Sequence, residues 1–512
     1  MLSSKGVVFL FHHPPFITKN ETPFSLISKS TRRLLIIFKD LGSLSLFLTS
    51  LIILFSCLFF IFVPSGKPKE WFSPIKCFSY FTLISIPSYW LVSVDKTFLS
   101  SFVVRSPFIV DLESTLGYTS LLILISFFST VMGIATNSKF FKRLFVYQKA
   151  MYKEKFIFNS SPLFLLLGGI FAWFIYMKFL GGFAYFFSNL YIRGELTRGT
   201  GYFMGFWMNL IQISVIVVFF LLVRTKKTSF FKKTLAILLS TICFFILVSL
   251  GGRNPGIMLL WSILLFFNFF NKKINPFNYK IVLLLISLFV FSLFLGEIRS
   301  KNYEQTSDFS FNSVISEAFE SAGKTFVVYS GGLERKILVT AYVSNKGHWL
   351  GSSYKDIFKA PIPRSWYPEK PPVDDGMYIW SIALGRTITP PKKIEELDVS
   401  SWPIGNWMGM MNWGLPGLIF FSFLSGLLMN ASYYAFQRSE KHLFLFFVYS
   451  YCVYRGGIQF DNLGIVSFLT KMLFLHISFQ LLILSNLITI PKKSIAYVVQ
   501  KEKYGKKSYK TA

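Results

Sequence analysis

Six arginines of this chain stand directly next to a glycine or a proline, a setting that suits anion binding. The guanidinium group stays charged at any relevant pH and matches a phosphate with two parallel hydrogen bonds. Glycine neighbours let backbone amides approach the same anion closely. The six are Arg193 and Arg198 in NLYIRGELTRGTGYF, Arg253 in LVSLGGRNPG, Arg364 in APIPRSWYPEKPP, Arg386 in ALGRT and Arg455 in YRGGIQFDN.

Two of these arginines have the least conformational freedom. Arg253 lies in a hairpin of residues 251–254 between two apolar runs, and Pro255 favours a helix whose positive N-terminal end lies beside it. Arg364 lies in a stretch with five prolines in thirteen residues, which stiffen the backbone. Together these features predict a pyrophosphate site at the membrane surface.

The same proline-rich stretch offers further ligand contacts. Trp366 and Tyr367 have flat faces that can stack on sugar rings or dock at the membrane interface. Lys370 is either a second anion contact or a partner of its neighbour Glu369. The substrate-binding candidates are therefore Trp366, Tyr367, Lys370, Arg193, Arg198, Arg386 and Arg455.

Acidic groups for general base chemistry are present but unspecific. Asp111 and Glu113 are separated by one residue, and Asp374 is followed directly by Asp375. Such pairs are common in loops, so the general base stays unassigned. No group of histidine, cysteine and acidic residues has the spacing of a metal site, and we predict neither a metal nor another cofactor.

The elements that position these residues must be membrane helices. Of the 512 residues, 53% are hydrophobic and 19% aromatic, and the mean hydropathy is +0.52. Apolar runs of about 20 residues recur, the length that crosses a bilayer as a helix. The predicted fold is an all-α polytopic membrane protein, one integral membrane domain over residues 1–512 with about 11–12 transmembrane helices. The candidate spans are 41–63, 72–94, 115–135, 161–180, 202–223, 234–252, 255–270, 280–296, 413–429, 442–456 and 463–488.

The charge distribution predicts the topology and argues against nucleic acid as a partner. Residues 297–405 contain thirteen Lys and Arg and thirteen Asp and Glu, so the rest of the chain carries the whole net charge of +29. Basic connectors between spans are typical of the cytoplasmic side, and basic charge near a membrane contacts lipid headgroups. We therefore place the basic terminal segments 1–40 and 491–512 in the cytoplasm, and residues 297–405 outside as one large loop.

Two further features follow from local patterns. Eleven spans put the termini on opposite sides although both are basic. A span before residue 115 is therefore either missed or miscalled, and residues 98–110 are the candidate for a missed one. Within the large loop, residues 311–322 and 337–342 carry apolar side chains at helical spacing. This spacing predicts two amphipathic helices that lie on the membrane or over the bundle.

Four segments resemble the oligosaccharide repeat unit polymerases, the Wzy-type polymerases of O-antigen and capsule assembly. The resemblance extends over roughly residues 190–460, and its most specific part is a proline-arginine signature that the family carries in its large periplasmic loop. The arginine hairpin alone is less specific, because O-antigen ligases have similar hairpins. The segments are GSSYKDIFKAPIPRSWYPEKP (351–371), GNWMGMMNWGLPGLIFFSFLSG (405–426) with Asn412, Gly414 and Gly417, GGRNP (251–255) and RGELTRGTGYF (193–203).

The resemblance implies a metal-independent glycosyltransferase of the bacterial inner membrane. Its donor would be a glycan on a polyprenyl pyrophosphate and its acceptor a second lipid-linked repeat unit. Arg253 and Arg364 would be the catalytic residues that stabilise the leaving pyrophosphate, and loss of one such group typically slows a reaction about 10²–10³-fold. Asn412 joins the substrate-binding candidates. The family often has further acidic or histidine residues in the loop, where this chain has only His348.

The resemblance also implies membrane lipid, a chain-length regulator and a flippase as partners. Two other functions stay open at this point. An O-antigen ligase or another lipid-linked-sugar glycosyltransferase would use a different acceptor, with Asp111 and Glu113 as candidates for metal-assisted chemistry. A lipid-linked oligosaccharide flippase would instead carry its charges along a central cavity and would need no large external loop.

Overall fold

The structure is a computed structural model, and it describes most of the hydrophobic part of the chain. The two ends of the chain, the connectors around residues 137–156 and most of residues 284–331 lie outside the described part. The described residues are 42–63, 70–136, 157–158, 163–189, 196–197, 201–224, 230–249, 254–271, 274–279, 281–283, 287, 327, 332–362, 366–398, 400–439, 442–484 and 488–489.

Helices make up nearly all of the described regular structure. They are α1 (Gly42–Phe62), α2 (Pro74–Val94), α3 (Ser101–Val104), α4 (Leu112–Ala135), α5 (Leu163–Phe179), α6 (Phe183–Ser188), α7 (Gly201–Arg224), α8 (Phe230–Val248), α9 (Asn254–Phe270), α10 (Leu333–Lys346), α11 (Gly376–Ala383), α12 (Met408–Arg438), α13 (Leu443–Val453) and α14 (Asn462–Leu484).

Seven of the described helices are long and apolar enough to cross a membrane, namely α1, α2, α4, α7, α8, α12 and α14. Three shorter apolar helices, α5, α9 and α13, lie among them. This architecture confirms a helical, multi-pass membrane protein. Each of the ten helices overlaps one predicted span over more than half of its length, and the remaining predicted span, 280–296, lies mostly outside the described residues.

Small residues form the contact between α4 and α12. A Cβ on Gly133 would overlap the carbonyl oxygen of Phe423, and a Cβ on Gly426 would overlap that of Thr130. Nearer the start of both helices, the hydroxyls of Ser126 and Ser422 share a hydrogen bond of 2.8 Å. Backbones approach this closely in membrane helix pairs because the interface gains packing and hydrogen bonds rather than hydrophobic burial.

The connections that carry the candidate site residues gather at one end of the bundle, which we call the loop face. It comprises residues 95–111, the described residues within 332–407, and residues 454–461, together with the start of α9. Several hydrogen bonds join these parts: Asn345 Nδ2 donates to Phe108 O at 2.6 Å, Tyr354 Oη to Phe460 O at 2.5 Å, and Tyr454 Oη to Asn254 O at 3.2 Å.

The opposite end of the bundle has a small strand pair. Strands β1 (Ile157–Phe158) and β2 (Ile488–Thr489) are antiparallel, with Ile157 opposite Thr489. They follow the ends of α4 and α14 that lie away from the loop face. The pair therefore brings the connector before α5 and the segment after α14 to the same end, as alternation of the helices requires.

One topology prediction is wrong and others stay predictions. Residues 98–110 contain no span, because a 3₁₀ turn at Lys96–Phe98 and the four-residue helix α3 occupy the region. Residues 337–342 lie in α10 as predicted. The terminal segments 1–40 and 491–512 and the first predicted amphipathic helix, 311–322, lie outside the described residues.

Candidate functional site

The centre of the loop face is a break in α12. Gly414 has φ 67° and ψ −149°, a conformation that is nearly exclusive to glycine, and the chain reverses sharply there. The short first piece of the helix folds back so closely that a Cβ on Gly409 would overlap the carbonyl of Gly417, and the reverse holds as well. These glycines of the GNWMGMMNWGLPG segment therefore have a backbone role.

Residues from the large loop take over the hydrogen bonds that the break leaves open. Trp349 N donates to Met411 O at 2.8 Å, and Leu350 N donates to Asn412 O at 2.9 Å. In an unbroken helix Asn412 O would face residue 416, but Pro416 has no amide hydrogen. The large loop and the start of α12 therefore form one unit.

His348 completes this arrangement with a defined tautomer. Its Nδ1 lies 3.2 Å from Met410 O. A carbonyl oxygen only accepts, so Nδ1 carries the hydrogen and Nε2 keeps its lone pair in the neutral ring. The side chain is exposed, and its ring lies 2.8 Å from where a Cβ on Gly414 would be. His348 is thus a proton acceptor held beside the helix break.

Asn412, a predicted substrate-binding residue, is fully buried at the same break. Its Nδ2 donates to Met408 O at 3.0 Å and to Ser353 Oγ at 2.9 Å. These bonds join α12 to the Ser352–Tyr354 turn of the loop. In this structure Asn412 positions the backbone around the break, and a direct contact with substrate stays a prediction.

A second group on the loop face surrounds Arg455. This arginine has φ 59°, in the left-handed region, its side chain is exposed, and its guanidinium carbon lies 5.7 Å from the centre of the Tyr454 ring. The nearby Asp461 accepts the amides of Gly405 and Gly464. Arg455 has no carboxylate within ion-pair distance among the described residues.

The same turn holds the start of α9. Tyr454 Oη donates to Asn254 O at 3.2 Å, and Gln212 Nε2 of α7 donates to Pro255 O at 3.1 Å. Arg253 itself lies outside the described residues, but it is bonded directly to Asn254. The start of α9 is therefore anchored beside the Arg455 turn.

A lysine lies below this turn, within the bundle. Lys471 Nζ of α14 is 3.8 Å from Met258 Sδ and 5.6 Å from the centre of the Tyr451 ring. Tyr451 Oη in turn donates to Asn209 Oδ1 at 2.9 Å. The Lys471 ammonium thus contacts a thioether of α9 and an aromatic ring of α13 that itself hydrogen-bonds α7, a contact set that sequence patterns did not indicate.

The remaining predicted ligand contacts are spread over the large loop. Arg386 is exposed and pairs with Asp398 at 3.4 Å. Trp366 is 81% exposed, and Tyr367 is partly exposed under the Lys359 ammonium, 5.5 Å from the ring centre. Arg364 lies outside the described residues, as do Arg193 and Arg198.

Lys370 binds backbone carbonyls, a role that neither sequence interpretation predicted. The residue is buried, and its Nζ donates to Ala360 O at 2.5 Å and to Ile362 O at 2.9 Å. Glu369 pairs with Lys393 instead, at 3.0 Å. The Lys370 ammonium therefore closes the turn that leads to Arg364, and anion binding by Lys370 stays untested.

Buried carboxylates form the third group. Asp375 accepts Asn462 N at 2.8 Å and Asn462 Nδ2 at 3.1 Å, and both residues are nearly inaccessible. Burial raises the pKa of the Asp375 carboxyl well above its ordinary value, and the charges of Asp461 and Asp374 raise it further. Burial likewise raises the pKa of Asp374 and of Asp461.

The other predicted acidic pair is structural. Asp111 accepts the Glu113 amide at 3.0 Å as the N-terminal cap of α4. Glu113 accepts Ser43 N at 2.8 Å and pairs with Lys96. No group of three or more His, Cys, Asp or Glu in the described part of the chain could hold a metal ion.

The loop face thus combines a broken helix with a histidine, the Arg455 turn beside the start of α9, and a buried acidic network. Each group draws on residues far apart in sequence. No protein-family model, curated protein or solved structure matches this chain.

Proposed function

We propose that the protein is a membrane glycosyltransferase that joins polyprenyl-pyrophosphate-linked oligosaccharide repeat units into a surface polysaccharide. One lipid-linked glycan is the donor and a second lipid-linked repeat unit is the acceptor. The enzyme works in the bacterial inner membrane with its loop face outside. Membrane lipid surrounds it, and a chain-length regulator and a flippase act with it.

One observation carries this proposal. The hydrogen bond from Tyr454 Oη to Asn254 O holds the chain neighbour of Arg253 against the chain neighbour of Arg455. The start of α9 and the Arg455 turn, about 200 residues apart in sequence, are therefore in contact. This contact supports the proposal that Arg253, the residue before Asn254, and Arg455 bind one ligand. Paired guanidinium groups at the end of a membrane bundle are suited to a diphosphate, which needs more than one cationic contact.

The chemistry follows from where charge develops. The acceptor hydroxyl attacks the anomeric carbon of the donor glycan and forms the new glycosidic bond. The bond between that carbon and the diphosphate oxygen breaks, and its electron pair leaves with the polyprenyl diphosphate. The proposal assigns Arg253, Arg364 and Arg455 to stabilise this negative charge, because cations that are positioned before the reaction need no reorganisation during it.

A general base must also accept the proton of the acceptor hydroxyl. His348 is the described group best arranged for it, because Met410 O fixes the hydrogen on Nδ1 and leaves Nε2 as the acceptor. The proposal assigns His348 as general base. Asp375 and Asp461 are buried and engaged with amides, so they serve the scaffold instead.

The test uses single substitutions in a strain that lacks the native gene. Arg253→Ala, Arg364→Ala and Arg455→Gly should leave the protein in the membrane but reduce the glycan ladder to single repeat units. Lys232→Ala is the matched control, because this exposed cation lies in the first turn of α8 at the end opposite the loop face. The control should give a normal ladder.

The same experiment separates the alternatives. A strain without the gene that shows a single-repeat band supports a polymerase. Loss of all surface glycan would indicate a flippase, and free polymer that is not attached to its final acceptor would indicate a ligase. Long chains in all three arginine variants would contradict the diphosphate assignment.

A further inference from the structure

Lys471 is a cation within the bundle that the proposed reaction does not yet use. It lies nine residues after the start of α14 at Asn462, in a helix that is long and apolar enough to cross the membrane. Ionisable side chains in such helices are costly, so they face the interior of the bundle, find partners there and mark ligand pathways. The partners of Lys471 therefore indicate what this residue does.

The described part of the chain supplies almost no partner for this ammonium group. An ammonium has three hydrogens to donate. Lys471 Nζ lies 3.8 Å from the Met258 thioether, a weak acceptor, and 5.6 Å from the centre of the Tyr451 ring. The ion pairs among the described residues do not include Lys471. Most of its hydrogen-bonding capacity is thus available to a ligand.

The Tyr451 ring that contacts the ammonium is held in place by hydrogen bonds. Tyr451 Oη donates to Asn209 Oδ1 at 2.9 Å, and Asn209 Nδ2 donates to Gly205 O at 2.7 Å. A ring held in this way keeps its face against Lys471, and a cation–π contact favours the charged ammonium. The lysine is therefore positioned without pairing its charge with a carboxylate.

Two neighbouring helices give the same depth for the ammonium. Met258 lies four residues after Asn254, the start of α9, and Tyr451 lies three residues before Tyr454, which donates to Asn254 O at 3.2 Å. Four residues are about one helical turn, or about 5.4 Å. Lys471 Nζ therefore lies about one turn inside the end of the bundle that carries the loop face.

Lys471 and Arg455 are two like charges at different depths. They are close enough to repel each other. Arg455 is exposed at its turn, whereas Lys471 is half-buried and contacts α9 and α13. An anion that meets both cations offsets this repulsion and supplies the acceptors that the ammonium lacks. The pair therefore suits a ligand with negative charge at two levels, one of them just inside the membrane end of the bundle.

Lys178 shows a different arrangement at the same end of the bundle. It lies in the last turn of α5 and is exposed. A flexible lysine stem at such a position can hold its ammonium in the headgroup region, among water and lipid phosphates. Lys471 instead points between helices, so contact with the surrounding headgroups does not explain its position.

We propose that Lys471 is a substrate-binding residue that holds the polyprenyl-side phosphate of the diphosphate, while Arg455 holds the glycan-side phosphate. The assignment follows from depth, because the phosphate that carries the polyprenyl chain is the one nearer the membrane interior. The inference rests on the proposed function and adds to it the orientation of the donor. The electron pair of the broken bond arrives on the glycan-side phosphate, so Lys471 contributes to binding and Arg455 to the reaction step.

Binding of a polyprenyl monophosphate tests Lys471 without any reaction. The full-length protein in lipid nanodiscs is titrated with decaprenyl monophosphate, decaprenyl diphosphate and uncharged decaprenol. Lys471→Met removes the charge and should weaken binding of both phosphates about 10–100-fold, the usual range for one hydrogen bond to a charged group. Arg455→Gly should weaken binding of the diphosphate alone. Decaprenol should bind the variants and the wild type equally.

Further variants separate ligand binding from folding. Lys178→Met is the matched control and should bind all three lipids as the wild type does. Met258→Glu places a carboxylate beside the same ammonium and should weaken binding of both phosphates although Lys471 is kept, whereas Met258→Gln should not. Lys471→Met removes a like charge near Arg455, so its thermal midpoint should not fall. In a lengthening assay it should raise KM and leave kcat nearly unchanged, the pattern of lost uniform binding.

Three outcomes would overturn the assignment. In the first, Lys471→Met and Met258→Glu both bind decaprenyl monophosphate as tightly as the wild type. In the second, binding of decaprenol falls as much as binding of the phosphates, which would show general damage to the lipid site. In the third, the difference between the wild type and Lys471→Met disappears when phosphatidylglycerol replaces phosphatidylcholine in the nanodisc. The site would then hold an ordinary anionic headgroup.

The same measurements keep this inference separate from the proposed function. If Lys471→Met loses affinity for decaprenyl monophosphate but the wild-type protein lengthens no glycan, the proposed function fails and the polyprenyl-phosphate site stands. If the wild type lengthens glycan and Lys471→Met binds decaprenyl monophosphate normally, the proposed function stands and the assignment of Lys471 fails.

Discussion

Carboxylates and guanidinium groups occupy the same loop face, but they differ in burial and in their hydrogen-bond partners. Asp375, Asp461 and Glu334 are each at most 3% exposed, and each accepts hydrogen bonds from backbone amides of another segment. Arg455 is exposed at a tight turn and has no acidic partner among the described residues. The acids hold the loop on the bundle, while the arginine is available to a ligand.

The buried acids hold the loop in place without pairing with Arg455, whereas Lys359, Lys392 and Lys393 of the loop pair with other acids. A carboxylate that binds backbone amides needs no guanidinium, so the amides stabilise the acids and leave arginine charge uncompensated. Arg386, which does pair with Asp398, is the counterexample on the same face. Substitutions in the two groups should therefore affect different quantities, activity for the arginine and stability for the acids.

The largest effect should come from Arg455. Arg455→Gly removes the charge but keeps the left-handed backbone, since glycine adopts a positive φ without strain. Chain lengthening should fall about 10²–10³-fold, the usual cost of losing one preorganised group. The thermal midpoint of the purified protein should stay the same, and Arg455→Lys should retain part of the activity. A normal rate of lengthening in Arg455→Gly would remove Arg455 from the site.

Substitution at the helix break should have the next largest effect, and it should lower both activity and stability. Gly414→Ala places a Cβ 2.8 Å from the His348 ring at a φ of 67°, a backbone conformation whose cost is about 1–3 kcal/mol. Stability and activity should both fall. Adding His348→Ala should recover stability in part, because the overlap is gone, but not activity. Full activity in the double variant would contradict the role of His348.

Asp375 should affect stability with little direct effect on the reaction. Asp375→Ala leaves Asn462 N and Nδ2 without this partner, which costs about 1–3 kcal/mol for a buried unsatisfied group. Asp375→Asn keeps one acceptor oxygen and should cost less. Chemical denaturation in detergent gives the free energy of unfolding of both variants. Equal stability of Asp375→Ala and wild type would show that the acidic network does not hold the loop.

The acidic network should also give the protein a pH dependence. Since the pKa of Asp375 is raised in the folded state, the folded protein binds more protons than the unfolded chain above the ordinary aspartate pKa of 3.8. Stability contributed by Asp375 is therefore present at low pH and is lost as pH rises through the folded pKa. The raised pKa values of Asp374 and Asp461 act in the same direction.

Thermal midpoints recorded from mildly acidic to alkaline pH measure how the stability of the folded protein changes with pH. The midpoint should fall as pH rises, and Asp375→Asn should flatten the curve because it removes the most strongly shifted group. A midpoint that rises with pH over this window would contradict the raised pKa values of these buried carboxyls.

The smallest effect on stability should come from Trp366. Its side chain is 81% exposed, so Trp366→Ala should change the free energy of unfolding by no more than about 0.5 kcal/mol. If Trp366 stacks on the glycan as predicted, the same change should raise the KM for the lipid-linked substrate. An unchanged KM would remove it from the substrate contacts.

The helical core was predictable because a membrane span has a long and simple signature. The ten described apolar helices all overlap predicted spans, since about 20 apolar residues in a row admit few other structures. The span expected at 98–110 failed because polar residues and a proline interrupt that segment, which forms only short turns. The basic charge of the two termini suggested a further span, but this segment lacks the run of about 20 apolar residues that a span needs.

The candidate site was predictable in its residue types but not in its contacts. The sequence pattern includes Gly414 and Asn412. The hydrogen bonds between residues 348–350 and the broken helix, however, join segments that meet only in the folded chain. Lys370 suited an anion by its charge, but the nearby carbonyls of Ala360 and Ile362 bind it. Pairing of this kind is set by tertiary packing, which no local pattern records.

The central claim is that arginines of the loop face stabilise a departing polyprenyl diphosphate. The most direct measurement uses the purified protein in vesicles with a synthetic polyprenyl-diphosphate-linked repeat unit, following product length and released polyprenyl diphosphate together. The account predicts one released diphosphate for each repeat unit added, and loss of both signals in Arg455→Gly but not in Lys232→Ala. Lengthening without diphosphate release, or release that Arg455→Gly leaves unchanged, would contradict it.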